Sequence, residues 1–298
     1  MNLLVTGAWQ GAKENTEKLE AMGHVVSFLQ FENDALPCDY AWVEGVVCNG
    51  LFLTHPIERF VNLRFIQLTS AGLDRVPMDY VQAHGIELHS ARGVYSIPMA
   101  EFAIGGVLQL YKKAAFFADN QRRHAWGKCR DIRELSGKTV CIVGCGSVGN
   151  ECALRFRAFG CRVIGVSARG RERTFYEIIR PASELYDAVE EADIVVLTLP
   201  LTAETRHRID RECLRHFKPG SVLVNIARGA IVDTAALTDA METRLFGAVL
   251  DVFEEEPLSA DSPLWDMEHV ILTPHNSFVG EGNPERLAEI ILSALSGS

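Results

Sequence analysis

The chain has 298 residues, of which 48% are hydrophobic and 23% charged, and a formal net charge of -10. That length suits about two domains of roughly 150 residues each, with ample apolar material for their cores. The acidic balance excludes bulk attraction to nucleic acid or an anionic membrane, so an anionic ligand must be met by local cations or backbone amides.

In chain order, Met1-Asn2-Leu3-Leu4-Val5-Thr6-Gly7 lacks a basic segment ahead of a long apolar stretch and reads as a β-strand rather than a signal peptide. Short apolar runs at 3–5, 25–29, 45–48, 65–68 and 86–88 read as buried strands alternating with helical stretches, a first α/β domain. Residues 97–117, rich in Ala and Gly, predict one helix entered at Pro98, where proline is tolerated, and linking two domains. Further strands at 139–143, 162–166, 194–198, 221–225, 247–251 and 269–272 alternate with helices, the pattern of a doubly wound parallel sheet. A last helix is predicted over 284–295. No run of about 18 apolar residues predicts a membrane span.

The eight cysteines, Cys38, Cys48, Cys129, Cys141, Cys145, Cys152, Cys161 and Cys213, form no C-x-x-C pair and no zinc-finger spacing with histidine. They read as small hydrophobes of a reducing cytoplasm, and no metal is expected. His55, His84 and His207 carry no motif and read as surface residues.

Gly144-Cys145-Gly146-Ser147-Val148-Gly149 is a G-x-G-x-x-G placed between a strand and a helix. In that context Gly144 permits the tight turn, Gly146 lets the backbone approach a pyrophosphate, and Gly149 lets helix and strand pack closely. The helix N-terminus offers its amides and partial positive charge to phosphate. A second glycine run, Val5-Thr6-Gly7-Ala8-Trp9-Gln10-Gly11, resembles the loop of short-chain dehydrogenases. That family needs Tyr-x-x-x-Lys, and no tyrosine here has a lysine four residues on.

Three later segments narrow the class: Asn225-Ile226-Ala227-Arg228-Gly229-Ala230-Ile231-Val232-Asp233, Leu250-Asp251-Val252-Phe253-Glu254-Glu255-Glu256-Pro257-Leu258 and Leu272-Thr273-Pro274-His275-Asn276-Ser277. With the glycine loop they resemble the D-isomer-specific 2-hydroxyacid dehydrogenase family, densely from about 136 to 277. The resemblance is fainter in the earlier Gln67-Leu68-Thr69-Ser70-Ala71-Gly72-Leu73-Asp74. One turn, Thr243–Leu245, is about one residue shorter than the family's.

The resemblance implies an α/β fold of two Rossmann-like domains with doubly wound parallel sheets and a cleft between them. The substrate domain would comprise 1–92 plus 274–298, and the dinucleotide-binding domain 93–273. It implies hydride transfer between NAD(P)(H) and C2 of a small 2-keto or 2-hydroxy acid, D-specific, by a homodimer built through the cofactor domains. Arg228 matches the substrate-binding arginine, Glu256 the catalytic glutamate and His275 the catalytic acid/base. Ser70, Ala71 and Gly72 match the substrate-carboxylate turn. Gly144, Gly146, Ser147, Val148, Gly149, Ser167, Arg169, Leu199, Pro200, Thr205, Ala227, Asp251 and Ser277 match cofactor positions.

These residue types suit the chemistry. A guanidinium binds a carboxylate and its neighbouring carbonyl as a planar fork. A histidine gives a proton to the oxygen as hydride reaches carbon and takes it back in reverse. A carboxylate beside the imidazole sets its tautomer. NADP is expected over NAD, because Ser167 stands where an NAD enzyme places an acid for the ribose 2′-hydroxyl, with Arg169 and Arg171 downstream. The alternative from another class is a cofactor-sensing, corepressor-like binding protein of the same fold, which has no need of Arg228, Glu256 and His275 together. Formate-type relatives carry Gln where this chain has Glu256.

Overall fold

Four or five buried apolar residues in a row, too few for a helix and without polar alternation, make strands covered on both faces. The structure, a computed structural model described over residues 1–168 and 174–296, is built on such runs. It divides into two units, Met1–Tyr95 with the segment from Gly280 on, and Ser96–Val279.

Unit 1 holds β1 (Asn2–Thr6), α1 (Ala12–Ala21), β2 (Val25–Leu29), β3 (Gly45–Cys48), β4 (Phe65–Leu68), α2 (Met78–Ala83) and β5 (Glu87–His89). The strands are all parallel, in the order β2-β1-β3-β4-β5.

Unit 2 begins with α3 (Ser96–Tyr111) and α4 (Ala114–Arg122), where one helix over 97–117 was expected. The break falls at Lys113, whose φ of 53° is left-handed and cannot continue an α-helix. Then come β6 (Thr139–Val143), α5 (Ser147–Ala158), β7 (Arg162–Val166), β8 (Ile178–Arg180), α6 (Leu185–Glu191) and β9 (Ile194–Leu197). They are followed by α7 (Arg211–His216), β10 (Val222–Asn225), α8 (Thr234–Thr243), β11 (Gly247–Leu250) and β12 (Val270–Leu272). The seven strands are parallel, in the order β12-β11-β10-β9-β6-β7-β8. The predicted strands lie within one residue of the observed ends. The unpredicted one, β8, is a three-residue edge strand paired, among the described residues, only with β7, too short to carry a pattern.

The chain ends in α9 (Asn283–Ser296), which belongs to unit 1. Its Leu287, Ile291 and Leu295 are buried with Leu3, Val5, Trp9 and Leu19. Each such fully buried side chain contributes about 1.5–3 kcal/mol. Arg286 Nε also donates to Val94 O at 2.8 Å. The divisions fall a few residues later than the expected 92/93 and 273/274 crossings. The segment with His275 stays in unit 2 because it is bonded to Asp251, at the end of β11. Among the described residues, no helix is long and apolar enough to cross a membrane.

Candidate active site

In unit 2 the strand order reverses at β6, with β7 on one side and β9 on the other, and the crevice at such a reversal is where doubly wound sheets bind ligands. The glycine loop leaves β6 at that point. Gly144 has φ +109°, and a Cβ there would lie 2.9 Å from the Thr198 carbonyl carbon. A Cβ on Gly149 would lie 2.2 Å from Gly144 O, so only glycine lets α5 start this close to β6. At Gly146, by contrast, a Cβ would meet nothing within 4 Å among the described residues. Gly146 caps α5 without a side-chain hydrogen bond, so the opening lies before helix amides that no cap engages. This cradle fits the pyrophosphate of a dinucleotide. Ser147 and Val148 open the helix, and Val148 packs into the core beneath.

Across the crevice, β9 ends in a loop that sequence reasoning placed only in part. Thr198, absent from the expected site, joins the two sides: its amide donates to Val143 O at 2.9 Å and its hydroxyl to Gly144 O at 2.5 Å. Leu199 and Pro200 follow directly. Thr205 holds this loop in shape, its hydroxyl donating to Pro200 O at 2.7 Å and accepting from Thr202 N at 2.7 Å. Ser167, just past β7, donates its amide to Arg180 O at 3.0 Å. Arg169 and Arg171, expected beside it, lie outside the described residues.

The Arg228 turn grows out of β10. Asn225 is buried and shapes it from both ends. Its Oδ1 accepts from Ala227 N at 3.1 Å and its Nδ2 donates to Arg228 O at 3.1 Å. Ala227 is buried, while Arg228 is half-buried with Nη1 donating to Ala227 O at 2.8 Å. The next residue, Gly229, abuts the following loop: a Cβ there would lie 1.8 Å from Phe253 C.

That loop carries Glu256. Its Oε1 accepts from Phe253 N at 3.1 Å, and its Oε2 lies 2.8 Å from His275 Nδ1. His275 has φ 52°, a left-handed conformation that costs a non-glycine residue energy and persists only where neighbours impose it. Asp251 imposes it. Fully buried, Asp251 accepts from His275 N through its carbonyl at 2.8 Å. Its carboxylate accepts from Thr273 Oγ1 at 2.7 Å, Asn276 N at 2.7 Å and Ser277 N at 2.9 Å. The sequence pointed to Asp251 and Ser277 as cofactor residues; the structure adds that they fasten the histidine loop. With Nδ1 turned to a carboxylate, the other ring nitrogen, Nε2, is the one left for proton exchange with a ligand.

In unit 1, Ser70, Ala71 and Gly72 form the turn after β4. Ser70 Oγ donates to Gly72 O at 3.1 Å and Ser70 O accepts from Ala91 N at 2.9 Å. Of the three histidines read as surface residues, His84 and His207 are exposed and His55 is not. His55 is buried, with Nδ1 2.7 Å from Tyr40 Oη, and His207 Nε2 lies 2.6 Å from Glu254 Oε2. Among the described residues, no group of three His, Cys, Asp or Glu side chains is arranged to hold a metal ion.

Comparison with known proteins bears on the same segments. The profile of the D-isomer specific 2-hydroxyacid dehydrogenase NAD binding domain matches residues 104–277. The chain is 35% identical over 240 residues to an (S)-sulfolactate dehydrogenase of Chromohalobacter salexigens, covering 78% of this chain and 77% of that one. It is 32% identical over 279 residues to a glyoxylate reductase of Korarchaeum cryptofilum, covering 89% and 84%. Its structure matches the crystal structure of a D-isomer specific 2-hydroxyacid dehydrogenase family protein from Aeromonas salmonicida with a TM-score of 0.83 and 29% identity, over 98% of this chain and 93% of that one.

Proposed function

Because the chain belongs to the D-isomer-specific 2-hydroxyacid dehydrogenase family, we propose that His275, Glu256 and Arg228 carry its reaction. That reaction moves a hydride between a nicotinamide dinucleotide and C2 of a small 2-keto or 2-hydroxy acid, which makes the protein an oxidoreductase. The observation that carries the assignment is the Glu256–His275 pair at 2.8 Å, in the same unit as the glycine cradle.

The dinucleotide, when bound, supplies or accepts the hydride; the chain's own residues do the rest. Gly144, Gly146 and Gly149 with the first amides of α5 hold the pyrophosphate. Arg228 engages the substrate's carboxylate and carbonyl oxygen and stabilises the charge that develops on the latter. Glu256 accepts from Nδ1–H of His275, so that Nε2 delivers the proton to the C2 oxygen in reduction and removes it in oxidation. The amides of Ala71 and Gly72 bind the substrate carboxylate.

Three finer readings accompany this one. The product is the D isomer. NADPH is preferred over NADH, supported by the hydroxyl of Ser167 in place of a carboxylate that would repel a 2′-phosphate. The protein works as a cytoplasmic homodimer joined through unit 2, supported by α4, which buries none of its residues and exposes Phe116 and Phe117. Eight free thiols suit a reducing compartment.

The test is turnover of glyoxylate, hydroxypyruvate, pyruvate, 2-ketobutyrate and phenylpyruvate, each with NADPH and NADH. Reduction of at least one to its D-hydroxy acid is expected. Tight dinucleotide binding with no turnover of any would leave the sensing protein as the better description.

A further inference from the structure

We propose that His207 and Glu254 are positioning residues for the reaction, forming a clamp that holds the Arg228 turn and the Glu256 loop in register. The inference rests on the roles proposed above for Glu256 and His275.

Four observations carry it, each internal to unit 2. First, Glu254 sits two residues before Glu256, yet its side chain leaves that loop and bridges two others. Oε1 accepts from Thr234 N, the first residue of α8, at 2.8 Å, and Oε2 lies 2.6 Å from His207 Nε2. Second, His207 is tied to the Arg228 turn by its backbone: its amide donates to Ala230 O at 2.8 Å. The zipper continues with Ile209 N to Ile231 O at 3.0 Å and Asp233 N to Ile209 O at 3.0 Å. Third, His207 has φ 48°, a left-handed strain in a non-glycine residue that the surrounding bonds must sustain. Fourth, the two loops touch backbone to backbone at Gly229, where a Cβ would lie 1.8 Å from Phe253 C and 2.4 Å from Glu254 N.

The consequence is mechanical. The loop 253–256 is fastened at one end by Glu254. Only three peptide bonds separate Phe253, whose amide holds Glu256 Oε1, from Glu256 itself, whose Oε2 orients His275. Any shift of Glu254 passes into Glu256 and then into the imidazole. Burial pushes the Glu254 carboxyl up, but the hydroxyl and amide of Thr234 and the ring of His207 outweigh it and hold it below the ordinary glutamate range. The bridge therefore carries a charge-assisted hydrogen bond, of the stronger kind. The acidic run Glu254-Glu255-Glu256 thus splits into distinct tasks, Glu254 fastening the loop and Glu256 facing His275.

The experiment compares Glu254→Ala, Glu254→Gln and His207→Ala with the parent enzyme, and repeats Glu254→Ala in a Glu256→Ala background. Glu254→Ala should lower kcat by about 10–100-fold, the scale of a sub-ångström to ångström misplacement, with the cofactor KM unchanged. Glu254→Gln keeps an oxygen for Thr234 N and an amide for the ring, so kcat should return to within about threefold. In the Glu256→Ala background the same Glu254→Ala change should cost less than about twofold, since its route to His275 is already cut. Should Glu254→Ala fail to fold, His207→Ala decides, with a loss of the same order expected. Unchanged kcat in Glu254→Ala or His207→Ala, or a full multiplicative loss in the double variant, overturns the clamp. His275→Ala separates the two levels: if it leaves turnover intact, the catalytic reading fails, whereas a large loss there with no effect at Glu254 defeats only the clamp.

Discussion

The backbone amide of His275 donates to the carbonyl of Asp251 at 2.8 Å, while the Asp251 carboxylate takes the amides of the next two residues, Asn276 and Ser277. One buried residue, through its carbonyl and its carboxylate, therefore holds both the histidine and the left-handed turn of its backbone. Five measurements test what this arrangement and its neighbours imply.

Asp251→Asn keeps the shape of the side chain but turns one acceptor into a donor facing an N–H. Leaving a buried donor unpaired costs about 1–3 kcal/mol, and more where a charge was the partner. A fall of at least about 2 kcal/mol in unfolding free energy is expected from urea titration, with kcat lowered along with it. An unmoved urea midpoint would show that the carboxylate does not fasten the loop.

His275→Ala removes the proposed proton donor and leaves the glycine cradle untouched. Keto-acid reduction should slow by about 10²–10⁴ in kcat, the usual yield of general acid–base catalysis. Dinucleotide affinity, followed by fluorescence titration, should stay within about threefold, because the change lies outside the cradle. Near-normal turnover would take His275 out of the chemistry.

Arg228→Lys retains the positive charge and loses the planar fork. If two parallel hydrogen bonds bind the substrate, kcat/KM should drop about tenfold or more, the equivalent of about 1.4 kcal/mol. Parity between Lys and Arg would mean that the turn supplies only a point charge.

Ser167→Asp places a carboxylate just past β7, at the expected ribose position. The ratio of kcat/KM for NADPH over NADH should exceed one in the parent and fall by on the order of tenfold in the variant, the worth of one charge-assisted hydrogen bond. A parent enzyme that favours NADH would refute the preference outright.

Asp193 carries the clearest dependence on pH. Burial pushes its carboxyl up, but Lys218 and the amide of Thr139, with Lys138 nearby, outweigh burial and hold it below the ordinary aspartate range. A depressed carboxylate adds stability above its unfolded pKa of about 3.9, and that stability is lost as pH falls through the folded value. Asp193→Asn should therefore lower Tm at pH 7 and converge on the parent below about pH 4. A constant gap across that range would count against the ion pair as its source.

The legible part of the site was the part written in contiguous residues. Gly144, Gly146 and Gly149 declare a backbone geometry through their spacing, and the Arg228, Glu256 and His275 segments each carry a motif. What escaped was bonding between segments. Thr198 and His207 are ordinary residues in sequence, and Asn225 stands in the Arg228 segment with no role of its own assigned. Each becomes part of the site only because a strand end or a loop brings an acceptor or donor to within about 3 Å of it. β8 and the break at Lys113 escaped for a different reason, since a short edge strand and a single left-handed residue leave no periodicity.

By itself the sequence determined two α/β units with parallel sheets, a dinucleotide loop and three candidate reacting side chains, because apolar period and glycine spacing are local properties. Only the tertiary structure decided that α9 returns to unit 1, that His275 stays with unit 2, and that Asp251 and Glu254 fasten the two sides of the Glu256–His275 pair. Those outcomes depend on which buried donors meet which acceptors across large separations in the chain. That pairing is enforced by the cost of leaving a buried polar group unmatched, and it exists only once the core has closed around it.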